Sequence, residues 1–194
     1  MSDLLKRIEQ NRFVGREFLL WMWFESVLFE TNLSPTGEPS CALWLETRLA
    51  LAFEKDESLL KAATPASLPE AREALRQGKL PREARLRLTQ GEHEYAWLFK
   101  ADTLAISTLA VPAELDAKKD DVHEVLYERM RLVEELEATL EALWSDFLSL
   151  RLSEAWEAAV MPALRKFARG EKVDEDAYEK AKHRAIGKKS KRAS

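Results

Sequence analysis

Seven cations close this chain without a single acid among them: Lys180, Lys182, Arg184, Lys188, Lys189, Lys191 and Arg192. Residues 1–179 hold 23 Lys or Arg against 34 Asp or Glu, so an acidic body carries a basic end. Such an end is where a polyanion first binds, through contacts that weaken steeply as salt rises. The bland alternative is a solvated, disordered terminus. No aromatic follows Tyr178, so stacking on single-stranded bases is not encoded there, which favours attraction to a duplex backbone. A second basic group, Arg85 and Arg87 with Lys79 and Arg82, surrounds an expected hairpin strand. Arg85 and Arg87 alternate with Leu86 and Leu88, so by default they form a solvated sheet face. They are also the body residues best placed to touch DNA.

Groups that could do catalysis are thin. His93, His123 and His183 fall in three different elements, and no HExxH, CxxC or similar ligand spacing occurs, so no metal site is expected. Asp120, Asp121, His123 and Glu124 could ligate a metal, but acids at a helix start are what the macrodipole favours. Gly187-Lys188-Lys189-Ser190 ends like a phosphate loop, yet position 182 is Lys where that loop needs Gly. Cys41, the single cysteine, is read as a tolerated or buried thiol and fits a reducing compartment. The expectation is a protein that is not an enzyme and takes no cofactor.

These groups must be carried by a framework, and its parts are legible. Gly15-Arg16-Glu17-Phe18-Leu19-Leu20-Trp21-Met22-Trp23-Phe24 opens an apolar arc too wide for a surface helix, so a buried helix is expected from about Asp3 to Glu30. Gly15 marks a kink or a close approach. Residues 42–53 alternate as one long strand or a hairpin bending near Glu46-Thr47. A polar connection over 54–68 precedes a short helix from Pro69 to Gly78. Strands follow at 82–89 and 92–100 around Gln90-Gly91, then at 104–111. From Asp121 the periodicity becomes helical. Val133, Leu136, Leu140, Leu143, Phe147 and Leu150 form a heptad-type seam, extended upstream by Val122, Leu126 and Met130. That seam predicts either packing inside the chain or self-association, as a homodimer, and it can equally meet a protein partner. A further helix bends near Pro162 and stops at Gly170.

The expected fold class is α+β: a small antiparallel sheet packed on the aromatic-rich N-terminal helix, then a long C-terminal helical module and a basic tail. The expected division is 1–115 for the α+β domain, 116–186 for the helical module and 187–194 for a disordered basic tail. Residues 1–12 are polar and the apolar run from Phe18 to Phe24 is far too short to cross a bilayer, so neither a secretory leader nor a membrane contact is expected, and the chain reads as cytoplasmic.

The order of pieces adds a resemblance. The Gly15–Trp23 helix, the segment Ala42 to Leu51, the helix ending at Gly78-Lys79, the paired segments 83–89 and 92–99, and the strand at Ala101 to Ser107 are collinear with one another. Over about residues 13–112 the chain resembles the C-terminal half of RdgC-type recombination-associated proteins. The resemblance implies sequence-nonspecific association with double-stranded DNA, a dimeric habit and, with DNA bound, a place in the nucleoid. About twelve residues precede the aromatic helix, so the family's N-terminal half has no counterpart here, and what is implied is a shared domain. The alternative is an interaction or scaffold module with no nucleic-acid role.

Overall fold

The computed structural model describes residues 3–53 and 56–190. Helix α1 (Asp3–Leu28) leads into β1 (Asn32–Leu33), β2 (Cys41–Phe53) and β3 (Asp56–Leu60). A 3-10 turn at Pro65–Ser67 precedes α2 (Pro69–Arg76), then β4 (Leu80–Gln90), β5 (His93–Lys100) and β6 (Ala105–Ala110). The long α3 (Val122–Arg151), α4 (Met161–Arg169) and α5 (Glu175–Ser190) follow among the described residues. The fold is α+β, with six antiparallel strands in one sheet ordered β1-β2-β4-β5-β6. β3 lies on the same edge of β2 as β1, farther along the strand.

Strand β2 is one strand and not a hairpin. Its pairing with β4 shifts between Glu46 and Leu49, where Thr47 adopts φ 49°. The two extra residues, Thr47 and Arg48, bend the strand without ending it, as a β-bulge does. The connection expected over 54–68 contains β3, because Asp56–Leu60 pairs with residues 49–53 of β2. That short, acid-led segment lacks the alternation that announces a strand, and pairing with β2 supplies what its own pattern does not.

Helix α1 lies against the inner face of the sheet. Phe18, Leu19, Trp21, Met22, Trp23 and Phe24 are all buried, and fully burying each such side chain is worth roughly 1.5–3 kcal/mol. Gly15 is where the helix comes closest to the β5–β6 turn. A Cβ there would sit 1.9 Å from the Ala101 carbonyl oxygen, so only glycine allows the approach. Arg16 fastens the same corner: Nε and Nη2 donate to the Asp102 carboxylate at 2.5 and 3.0 Å, and Nη1 to the Ala52 carbonyl at 3.2 Å.

The boundary expected at residue 115 falls between β6 and α3, yet buried residues from both sides share one hydrophobic cluster. Phe18 and Trp21 of α1 meet Phe147 of α3, with ring centroids 5.3 and 5.8 Å apart. Trp23 and Phe24 meet Phe167 of α4 at 5.4 and 5.5 Å. A π-helical turn at Trp156–Val160 precedes Pro162, which cannot donate to the helix ladder. Gly170 ends α4 in the left-handed region at φ 73°.

Candidate functional site: the last helix and what holds it

Asp174 begins α5 by accepting from the backbone N–H of Ala177 at 3.0 Å. Two consequences follow from the helix's 3.6-residue period. Tyr178 and Lys182 fall on the side turned toward α1, while Lys180 and Arg184 fall on the side turned to solvent.

On the inner side, Glu25 of α1 is the centre. Its carboxylate is 1% exposed, a position that is costly to occupy without partners. It has them. The Tyr178 hydroxyl donates to Oε1 at 2.6 Å, and the Lys182 ammonium donates to Oε2. Trp21 Nε1 in turn donates to the Tyr178 oxygen at 3.0 Å. The ammonium also lies 5.5 Å from the ring centroids of both Trp21 and Phe29, within cation–π range. Burial raises the Glu25 pKa above the ordinary carboxylate value, with the Lys182 charge and the two donated bonds acting against it. Burial first, and then Glu25, raise Tyr178 well above an ordinary phenol. Glu25 and Lys182 line a cleft of about 450 Å³ together with Glu30, Glu175, Glu179 and His183.

On the outer side, Lys180 and Arg184 are exposed, one helical turn apart, and neither has an ion-pair partner among the described residues. Lys188 and Lys189 fall within the span of α5, which continues through Ser190 over positions expected to be disordered. Lys191 and Arg192 lie outside the described residues. Lys182, grouped by sequence with the free cations, is instead the docking residue of the helix.

The sheet cations are engaged with their neighbours. Arg87 Nε lies 2.8 Å from Glu46 and its Nη1 3.5 Å from Glu94, with the guanidinium over the Trp44 ring at 4.7 Å. Arg85 donates to the Thr108 carbonyl and hydroxyl at 3.0 and 2.8 Å. Lys79 is buried against Asp56 and Ser58, both 2.9 Å away. Arg82 pairs with Glu57 at 3.0 Å and Asp102 at 3.3 Å. Arg87, Lys79 and Arg82 are thus each paired with an acid, and Arg85 is held by the neutral Thr108.

The heptad seam divides. Leu136, Leu143, Phe147 and Leu150 are buried in the chain's own core, with Leu140 packed against it and Val133 half-buried. Those four cannot also form a seam between two copies, because their surface is already spent within the chain. Upstream, Val122, Leu126, Tyr127 and Met130 stay exposed.

Among the described residues, the histidines, Cys41 and the acids at the start of α3 do not converge on one point. Asp121 caps α3, accepting from the N–H of His123 at 2.8 Å and Glu124 at 3.3 Å. Asp120 accepts from the Asp116 N–H at 2.6 Å. His93 Nδ1 sits 2.9 Å from Glu135 of α3, while His123 and His183 are exposed on separate helices. No group of three or more metal-capable side chains occurs among the described residues. Cys41 is buried, and burial pushes its thiol up to about 11. No helix among the described residues is long and apolar enough to cross a membrane.

Glu25 is the site residue that sequence spacing alone misses. Its one signal is chemical: a carboxylate inside the apolar arc of α1 requires a buried partner. Nothing local identifies that partner as Lys182, 157 positions away. No protein-family model matches the chain, and neither does any curated protein.

Proposed function

We propose that the chain is a non-enzymatic DNA-associated protein that holds the phosphate backbone of duplex DNA, without reading sequence, through the outer side of α5 and the residues after it. The observation that carries this reading is the division of labour on α5. Lys182 is consumed in docking the helix, whereas Lys180 and Arg184 stand exposed with no ion-pair partner among the described residues. Cations fixed on a helix lose less freedom on meeting phosphates than cations on a loose chain. The sheet face is a poorer candidate, since its guanidinium groups would have to leave partners they already have.

The test is fluorescence anisotropy of a labelled duplex across a salt series. The full chain is compared with a variant carrying Gln at 180, 184, 188, 189, 191 and 192 and keeping Lys182. Binding that weakens with salt and is lost in the variant supports the reading; absence of binding by the full chain at low salt overturns it. A protein-interaction role is the second reading, favoured by the exposed apolar side chains at the start of α3.

A further inference from the structure

Gln90 and His93, at the β4–β5 turn, meet Thr139 and Glu135 of α3 at 3.0 and 2.9 Å. The helix from Val122 to Glu134, about 20 Å at 1.5 Å per residue, therefore precedes the point where α3 crosses the end of that hairpin. Val125 is buried there, and Glu128 accepts from the N–H groups of Glu114 and Leu115 at 2.9 and 3.2 Å, which ties the connection from β6 along one side. The other side is apolar and uncovered. Val122 is 70% exposed, Leu126 55%, Tyr127 77% and Met130 53%. Val122, Leu126 and Met130 are spaced i, i+4, i+8, which makes them a ridge of the kind that seats in the groove of another helix.

What would seat there is decided by charge. Glu134, Glu137 and Glu141 follow Met130 at i+4, i+7 and i+11, continuing its exposed side, and Glu124 lies at the ridge's other end beyond the acidic turn of Asp120 and Asp121. Arg129 offsets part of this charge, as do Lys118 and Lys119 before the acidic turn, Lys119 pairing with Asp116 at 3.3 Å; Arg131 faces Glu135 of its own helix at 3.9 Å. A second copy of this chain, laid antiparallel, would bring Glu134 and Glu137 toward the other copy's acidic N-terminal turn. Laid parallel, it would place Glu134 beside Glu134. Both arrangements oppose like charges.

We infer that the ridge at the start of α3 is a docking surface for an amphipathic helix of a different protein, one that carries Lys or Arg beside its apolar stripe. The contact would bury the four exposed side chains and set the partner's cations against the Glu134–Glu141 rim. It is separate from α5 and stands whether or not α5 binds DNA.

The probe is a labelled helical peptide of Leu and Lys in amphipathic order, with a Leu and Glu peptide of the same pattern as its control. The full chain should bind the Leu/Lys peptide, with the Leu/Glu peptide weaker by roughly tenfold or more. Leu126→Ser with Met130→Ser should cost about the same factor, and Glu134→Lys with Glu137→Lys should invert the preference between the peptides. Both variants change exposed positions, and circular dichroism checks that they fold. No binding of the Leu/Lys peptide, or equal binding by the Ser variant, overturns the inference. So does a dimer in sedimentation that the Ser variant abolishes, since the occupant would then be a second copy.

Discussion

Tyr178 donates its hydroxyl proton to Glu25 across 2.6 Å, joining the last helix to the first over 153 positions of sequence. With Lys182 on the second carboxylate oxygen, one buried acid holds α5 in place. Breaking a buried pair from one side is costlier than removing both partners, because the remaining charge stays where water cannot reach it.

Lys182→Met should therefore destabilise the chain by about 3–5 kcal/mol in urea unfolding at neutral pH. Glu25→Gln should cost less, since the Lys182 side chain is 14% exposed and its ammonium can turn to water. The double variant should recover much of the Lys182→Met loss; a double variant as unstable as Lys182→Met would show that the pair is not what matters.

The same pair sets a pH dependence. Glu25 is raised above its unfolded value of 4.5, so its stabilisation is fully present below that pH and lost as pH rises through the folded value. Removing Lys182, which lowers the Glu25 pKa, raises it further. The deficit of Lys182→Met relative to the parent should shrink as pH falls from 7 toward 4.5. Parallel stability curves for the two proteins would contradict this.

If α5 holds DNA, each of its cations that touches a phosphate should add about 0.9 to the slope of log affinity against log salt. Lys180→Gln and Arg184→Gln should each flatten that slope, while Arg85→Gln with Arg87→Gln should leave it unchanged. A slope that responds only to the sheet pair would move the site to the sheet.

Gly15→Ala should destabilise despite a helix-propensity gain of about 1 kcal/mol. The new methyl would meet the Ala101 carbonyl, which is backbone and cannot swing aside, and such overpacking costs about 1–3 kcal/mol or more. A urea midpoint at or above the parent's would refute the close approach.

Cys41 should react negligibly with a thiol reagent at pH 8 in the native chain and promptly in urea. Its thiol is raised from 9.0 to about 11, so the stability it contributes is fully present below pH 9 and lost as pH rises through about 11. Fast labelling of the native protein would place the thiol at the surface.

How far the sequence carries depends on the range of each interaction. The aromatic arc of α1, the β4–β5 turn at Gly91 and the stop at Gly170 are written in adjacent residues, and the structure places them as expected. Asp56–Leu60 becomes a strand only through its pairing with β2, which no window around it contains. The seam of α3 shows the same limit. Its period predicts an apolar face, but whether that face meets the chain's own core or another molecule depends on where α1 and the sheet lie. The structure buries the downstream half, with Leu136, Leu143, Phe147 and Leu150, in the chain's own core and leaves Val122, Leu126 and Met130 of the upstream half exposed. Lys182 and Lys180 look alike in sequence, and they separate only because Glu25 waits on one side of α5.

The reach of Glu25 toward α5 also bears on synthesis. At about 5–20 residues per second, a ribosome needs roughly 8–30 s to travel from Glu25 to Tyr178. Throughout that time Trp21, Phe24 and the Glu25 carboxylate have emerged or are emerging without the rings and donors that cover them in the finished fold. The nascent chain thus carries an aromatic segment whose cover from α4 and α5 is missing until those helices leave the exit tunnel, and in that interval the uncovered part is open to chaperones and to misassociation.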